Sequence, residues 1–406
     1  MKQIKRILLI TFLFIVSLDT QGQYTSKKGY WSAELTLSEG VELPFSLFYD
    51  EQKEVFTIIN DDEHITLEKL STKGDSVVFG FVSFNSLLVF RVSGKKLISG
   101  YFHNKDRKTN AKIPFKAKYS GKKLRYKKSK IAHDITGKWK TSFSAFKKDE
   151  YPAIGVFEQN EKGRISGTFL TETGDYRYLA GSLNGNKLTL SCFDGSHAFL
   201  FTAELISSNL SGTFYSGSHW KTNWIAQRNE SFELADPYAL TYLKDGAEIK
   251  FSKPDTAGLV YNYPNKSTKG KVVIIQLIGT WCPNCLDETT YFKDLYKKFH
   301  QEGLEIIAIG YEAPENFEEQ AKRIRTYSEK KEIPYPILVG GIASKNLAAQ
   351  DFSMLNNITS FPTSILLNRQ GEVVLIHTGF NGPGTGEIYT NYVNETNKLI
   401  ERLLNE

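Results

Sequence analysis

Cys282 and Cys285 are separated by Pro283 and Asn284 in the run Gly279-Thr280-Trp281-Cys282-Pro283-Asn284-Cys285. Two thiols at this spacing are close enough to bridge, and their chemistry depends on what precedes and follows them. Ahead lies the apolar run 272–278, and behind it a helix-period pattern continues to about Phe299. A strand leading to a dithiol at a helix start is the arrangement of a redox pair. Unpaired amides at that helix end favour an anionic sulfur, which makes Cys282 the expected nucleophile. Cys285, one turn further in, is expected to be more buried and to resolve a mixed disulfide. Pro283 suits the first helical turn, where no hydrogen bond is lost, and Trp281 is expected to cover one side of the pair. Zinc would call for a second such pair or added histidines, and none lies near; a purely structural disulfide is the other alternative.

The same helix supplies a carboxyl group. Cys285, Glu288, Phe292, Leu295 and Phe299 recur at steps of three and four and share one face. Glu288 is thereby expected on the buried stripe beneath Cys285, where its proton affinity would rise and it could exchange protons with the resolving thiol. The alternative is a Glu288 that reaches solvent at the edge of the stripe. Far along the chain, Phe361-Pro362-Thr363 precedes a strand over 364–367. A cis Pro362 would bring this loop against the dithiol, although trans is the commoner state of such bonds. The third cysteine, Cys192, sits in a strand-like run and reads as a small buried residue.

The elements that position these groups alternate. Strands are expected over 272–278, 304–310 and 335–339, helices over 282–300, 315–331 and 344–351, a hairpin over 364–377, and a closing helix over 387–404. This predicts a small α/β domain with a mixed sheet over 251–406, after a connector over 231–250 in which 232–242 could hold a short helix.

At this point a resemblance can be stated. The lead-in Lys269-Gly-Lys-Val-Val-Ile-Ile, the run Gly279-Thr-Trp-Cys-Pro-Asn-Cys-Leu-Asp-Glu288, the strand beginning at Gly303, the segment Ile358-Thr-Ser-Phe-Pro-Thr to Val374, and Thr378-Gly379 together resemble the TlpA/ResA-like thiol-disulfide oxidoreductases of the thioredoxin superfamily. The resemblance covers about residues 245–406. It implies that Cys282 attacks, Cys285 resolves, Pro362 is cis and Glu288 is a cavity glutamate. It further implies that Trp281, Pro283, Asn284, Phe361 and Thr363 contact substrate, and that 311–357 carries an extra α/β insertion. The redox-active Cys282–Cys285 disulfide would be the only redox group, with no flavin, haem or metal. The implied partners are disulfide-bearing exported proteins and a membrane thiol-electron transporter as donor. The Pro-Asn pair between the cysteines departs from thioredoxin's Gly-Pro and leaves the potential open.

Residues 1–23, with Lys2, Lys5 and Arg6 ahead of the apolar stretch 7–18, read as a secretory signal peptide; an uncleaved anchor is the alternative. No cysteine lies near the junction, so no lipobox is expected; the resemblance to exported, multi-domain family members implies the periplasm of a Gram-negative bacterium, soluble or peripherally attached. Residues 24–230 read as antiparallel all-β, with short alternating strands, such as 76–81, 87–92, 164–170, 187–191 and 198–205, divided by Gly, Asn and Asp turns. Leu97-Ile-Ser-Gly-Tyr-Phe102 resembles Asn209-Leu-Ser-Gly-Thr-Phe214, and Trp31 and Trp139 open the two halves. Two related β units are expected, 24–134 with a basic linker and 135–230.

A net charge of +6 over 406 residues does not call for a nucleic-acid partner. Residues 95–130 hold fourteen Lys or Arg against Asp106 alone. They read as a solvated face, or more sharply as a contact for an anionic membrane surface or an acidic partner. A competing reading of the whole chain makes it a binding protein, whose β region would present an exposed aromatic groove to a polymer or protein. Oxidase or isomerase action is the remaining variant.

Overall fold

Alternating inward and outward residues close sixteen of the first 17 strands into two rings. In the computed structural model, which describes residues 26–123 and 133–406, the first ring holds β1 (Gly29–Ser38), β2 (Val41–Asp50), β3 (Val55–Asn60), β4 (Glu63–Lys73), β5 (Ser76–Phe81), β6 (Ser86–Ser93), β7 (Leu97–Asn104) and β8 (Lys112–Tyr119). Each strand pairs antiparallel with the next, and β8 returns to β1. The second ring holds β9 (Gly137–Phe143), β10 (Tyr151–Gln159), β11 (Arg164–Thr171), the two-residue β12 (Gly174–Asp175), β13 (Leu179–Asn184), β14 (Lys187–Phe193), β15 (Ala198–Ile206), β16 (Asn209–Ser216) and β17 (Trp220–Arg228). Pairing of β10 with β11 closes it, leaving β12 as a spur on β11. The expected signal segment and residues 24–25 lie outside the described residues, as do residues 124–130 of the basic run.

The two barrels share details that the sequence echo points to. Trp31 and Trp139 occupy their first strands, and each indole N–H donates to the carbonyl four residues earlier, Lys27 at 3.1 Å and Ile135 at 2.8 Å. Gly100 and Gly212, in the strand before last, sit against the neighbouring strand so closely that a Cβ would lie 2.0 Å from the Val89 carbonyl and 1.8 Å from that of Thr202. The aromatic residues go inward. Phe56, Phe79 and Phe90 fill one barrel, and Trp139, Phe143, Phe169, Phe201 and Trp224 the other. Aromatic side chains at strand spacing bury more apolar area inside a small barrel than on its surface. Among the described barrel residues, Phe146 and Trp220 are exposed aromatic side chains.

The connector carries no helix. Residues 232–242 run as coil and turns, because Pro237 at the middle of the stretch lacks an amide donor and its ring clashes with a preceding helical turn. A small ribbon, β18 (Phe251–Pro254) with β19 (Val260–Tyr263), precedes a five-stranded sheet of β20 (Val272–Ile278), β21 (Leu304–Glu312), β22 (Ile337–Ile342), β23 (Thr363–Leu367) and β24 (Val373–Thr378). The order is β22-β21-β20-β23-β24, parallel on the β22 and β21 side and antiparallel on the other. Helices α1 (Pro283–Phe299), α2 (Phe317–Lys331), α3 (Lys345–Asp351) and α4 (Glu387–Asn405) accompany it, and the insertion region contains α2, β22 and α3. This is the thioredoxin-like arrangement with a mixed sheet. Every residue of β20 is buried, as a central strand covered on both faces requires. Among the described residues no helix is long and apolar enough to cross a membrane.

Candidate functional site

Helix α1 begins where β20 ends, and Cys282 is its N-cap. The Cys282 sulfur accepts the Cys285 amide at 3.3 Å, and Pro283 occupies the first turn as its missing N–H allows. Both thiols are free. Cys282 is 8% exposed and Cys285 fully buried. Burial, reinforced by Cys282 and then Glu288, pushes the Cys285 thiol well above its usual range.

The helical stripe holds as expected. Cys285, Glu288, Phe292, Leu295 and Phe299 are all buried. Burial raises Glu288 from the usual 4.5 to about 7, and hydrogen bonding only partly offsets it. Its Oε2 accepts from Gln276 Nε2 at 2.8 Å. Ser364 Oγ faces the same carboxyl without good bonding geometry, so Glu288 Oε1 and Ser364 Oγ both lack a partner. Strand register lines these groups up, since Gln276 on β20 lies opposite Ser364 on β23, and Ser364 opposite His377 on β24. Gln276 was not singled out from the sequence. Its signal is a lone amide in Val-Val-Ile-Ile-Gln-Leu-Ile, where an unpaired polar group would cost about 1–3 kcal/mol.

The Phe361–Pro362 bond is cis, and the Phe361 carbonyl lies 3.6 Å from the Cys282 sulfur. Thr363 Oγ1 donates to the Ser360 carbonyl at 2.9 Å and closes this loop. Phe361 stacks on Tyr311 and meets Trp281 edge-on, and the Trp281 indole donates to the Tyr311 carbonyl at 2.9 Å. Cys282, Cys285, Glu288, Pro362, Trp281, Phe361 and Thr363 thus come together from two separate stretches of chain, 281–288 and 361–363. A second buried carboxylate, Glu312, ties down the loop ahead of the dithiol. It accepts the Thr280 amide at 2.9 Å and the Thr280 hydroxyl at 2.6 Å, and burial raises it to about 7. Glu312 reads in sequence as the polar end of a strand, and only its burial distinguishes it.

Pro283 and Asn284, expected to contact substrate, lie in the first turn of α1. Both are buried. Asn284 Nδ2 donates to the Asp175 carbonyl at 3.2 Å and to the Phe380 carbonyl at 2.9 Å, so it faces the second barrel. Strand pairing within each barrel fixes loops whose later partners cannot be read from local spacing. Cys192 is buried inside the second barrel, as expected. Among the described residues no group of three or more His, Cys, Asp or Glu is placed to hold a metal ion.

Residues 247–376 match the model of the AhpC/TSA family. The C-terminal part of the chain is similar to thiol-disulfide oxidoreductase ResA of Halalkalibacterium halodurans, 31% identical over 114 residues, covering 28% of this chain and 57% of that protein. It is also similar to ResA of Bacillus subtilis, 32% identical over 111 residues, covering 27% and 55%. The chain therefore spans a little over half the length of these curated relatives. Among solved structures it is similar to a thiol:disulfide interchange protein of the thioredoxin family from Chlorobium tepidum, at 22% identity and a TM-score of 0.30, covering 39% of this chain and 94% of the other.

Proposed function

We propose that the chain is an exported thiol-disulfide oxidoreductase that reduces disulfides of periplasmic proteins. The observation that carries this reading is the pairing of an N-cap thiol, Cys282, with a buried thiol, Cys285, that is backed by a partly unpartnered Glu288 and faced by the Phe361–Pro362 loop. The Cys282 thiolate attacks one sulfur of a client disulfide, a mixed disulfide forms, and the first client sulfur leaves as a thiol. Cys285 then gives its proton to ionised Glu288 and attacks the Cys282 sulfur. The Cys282–Cys285 disulfide forms, and the second client sulfur departs and takes up a proton. Two electrons and two protons have passed to the client. A thiol donor of the membrane restores the dithiol by the reverse exchange. Burial works against a Cys285 thiolate, so its attack on the mixed disulfide calls for a base at hand, the place Glu288 holds. The resemblance to exported relatives supports the periplasmic location.

Replacing Cys285 by Ser leaves the mixed disulfide without its resolving thiol. Exported proteins should then accumulate covalently on Cys282, and the adducts should vanish when Cys282 is also replaced. Absence of adducts in a folded Cys285→Ser protein defeats the reading. A reduction potential near about −120 mV would reverse the direction to oxidation.

A further inference from the structure

The second barrel reaches across the dithiol. The Thr173 carbonyl accepts from Ser360 Oγ at 3.2 Å, on the loop that leads into Pro362. The Asp175 carbonyl accepts from Asn284, inside the Cys-x-x-Cys itself, and Asp175 Oδ2 accepts the Gly382 amide at 2.6 Å. Gly174 lies between them with no room for a side chain, since a Cβ would sit 2.6 Å from Asn284 Nδ2 and 2.9 Å from the Phe380 carbonyl. From the other side, Ser196 Oγ donates to the Trp281 carbonyl at 2.8 Å.

One side chain fastens this cover. The Arg177 guanidinium is 5% exposed and meets a carboxylate from each of the three units. These are Glu63 of the first barrel at 2.6 Å, Asp194 of its own barrel at 3.7 Å, and Asp287 of α1, two residues past Cys285. Its backbone is left-handed, with φ of 63°, and its amide donates to Asp175 Oδ1 at 2.6 Å, so one turn sets both the cover and the latch. A buried guanidinium between several carboxylates is strongly held once formed, and losing one member leaves the others charged and unpaired. Salt bridges from Asp106 to Arg323 and from Lys108 to Glu315 add contacts between the first barrel and the α2 region.

We propose that the Thr173–Tyr178 segment of the second barrel is a built-in occupant of the client position, latched by Arg177, and that it determines which disulfides reach Cys282. Small disulfides pass the closed cover. Protein disulfides react only from the minor state in which the cover has lifted. The proposal rests on the dithiol reading for its consequence, but the cover itself is testable by access alone. Arg177 is a positioning residue here, acting through the backbone it holds.

The experiment compares alkylation of Cys282 in the reduced full chain by iodoacetamide and by a polymer-linked maleimide, in the native protein, in Asp287→Asn and in Arg177→Gln. The native protein should discriminate strongly against the bulky reagent. Both variants should raise the bulky rate about tenfold or more, the change in open population that ~1.4 kcal/mol of latch strength produces, while the small-reagent rate changes much less. A bulky-to-small ratio that is the same in all three folded proteins overturns the proposal. Because either variant could fail to fold, a second measurement uses the native latch. The Gly382 amide, bonded to Asp175, should be protected from hydrogen exchange in the free protein and lose protection when a cysteine-containing peptide is disulfide-linked to Cys282 of the Cys285→Ser protein. Unchanged protection in that adduct also overturns it. Reduction of 5,5′-dithiobis(2-nitrobenzoate) by the reduced chain separates the two readings, since its failure defeats the oxidoreductase while the alkylation ratio still decides the cover.

Discussion

Replacing Glu288 by Gln tests the link between burial and proton traffic at the site. Burial lifts this carboxyl from the usual 4.5 to about 7, which is equivalent to about 3 kcal/mol in favour of the protonated form. The folded state therefore holds the proton more tightly than the unfolded chain. Its stability is least affected below pH 4.5, falls by up to about 3 kcal/mol as pH rises to 7, and is level above that. A glutamine is neutral throughout and its carbonyl can still accept from Gln276. The variant should match the native protein near pH 4.5 and exceed it by about 2–3 kcal/mol at pH 8. Hydrogen exchange of the β20 amides reports the opening free energy of this core without requiring the whole three-unit chain to unfold in one step. Resolution of the mixed disulfide should move oppositely, slowing by about a hundredfold and losing its pH midpoint near 7, as removal of a general base predicts. A native-minus-variant stability difference that is constant from pH 4.5 to pH 8 would refute the argument, because it would mean that Glu288 does not titrate differently on folding.

Three other perturbations address neighbouring groups. Gln276→Leu removes the one hydrogen bond to Glu288 Oε2, so the resolution midpoint should shift above 7 and the core should lose about 1–3 kcal/mol by exchange measurements. His377 is buried and its pKa is lowered from 6.5 to about 4; the stability it contributes is present above pH 6.5 and lost as pH falls toward 4, and His377→Gln should flatten that acid limb. Ala at Gly212 would force a Cβ to within 1.8 Å of the Thr202 carbonyl, so the second barrel should lose about 3 kcal/mol or more, seen as a lowered thermal midpoint in circular dichroism.

Much of the site is legible in the sequence because its geometry is local. Cys282, Cys285 and Glu288 lie within seven residues of one helix, where a fixed 3.6-residue period dictates which side chains share a face. The alternation in the β half likewise shows which aromatics face inward, and the Trp31 and Trp139 echo survives as a matched hydrogen bond. The short helix expected over 232–242 does not form, since Pro237 interrupts it at its centre. The strand expected over 335–339 begins instead at Ile337, where parallel pairing with Ala308 starts.

Local spacing thus determined the dithiol, its helix, the buried carboxyl beneath it and the barrel-forming pattern of the first half. Tertiary structure decided the environment of those groups. Gln276, Ser364 and His377 meet only through the register of three strands, and Glu312 becomes a tether only because β21 ends beside Thr280. The cover over Cys282 depends on Arg177 meeting Glu63 and Asp287, each more than 100 positions away along the chain. No local period connects such residues. Their pairing follows from how two closed barrels and a mixed sheet stack, and burial then gives each contact its strength.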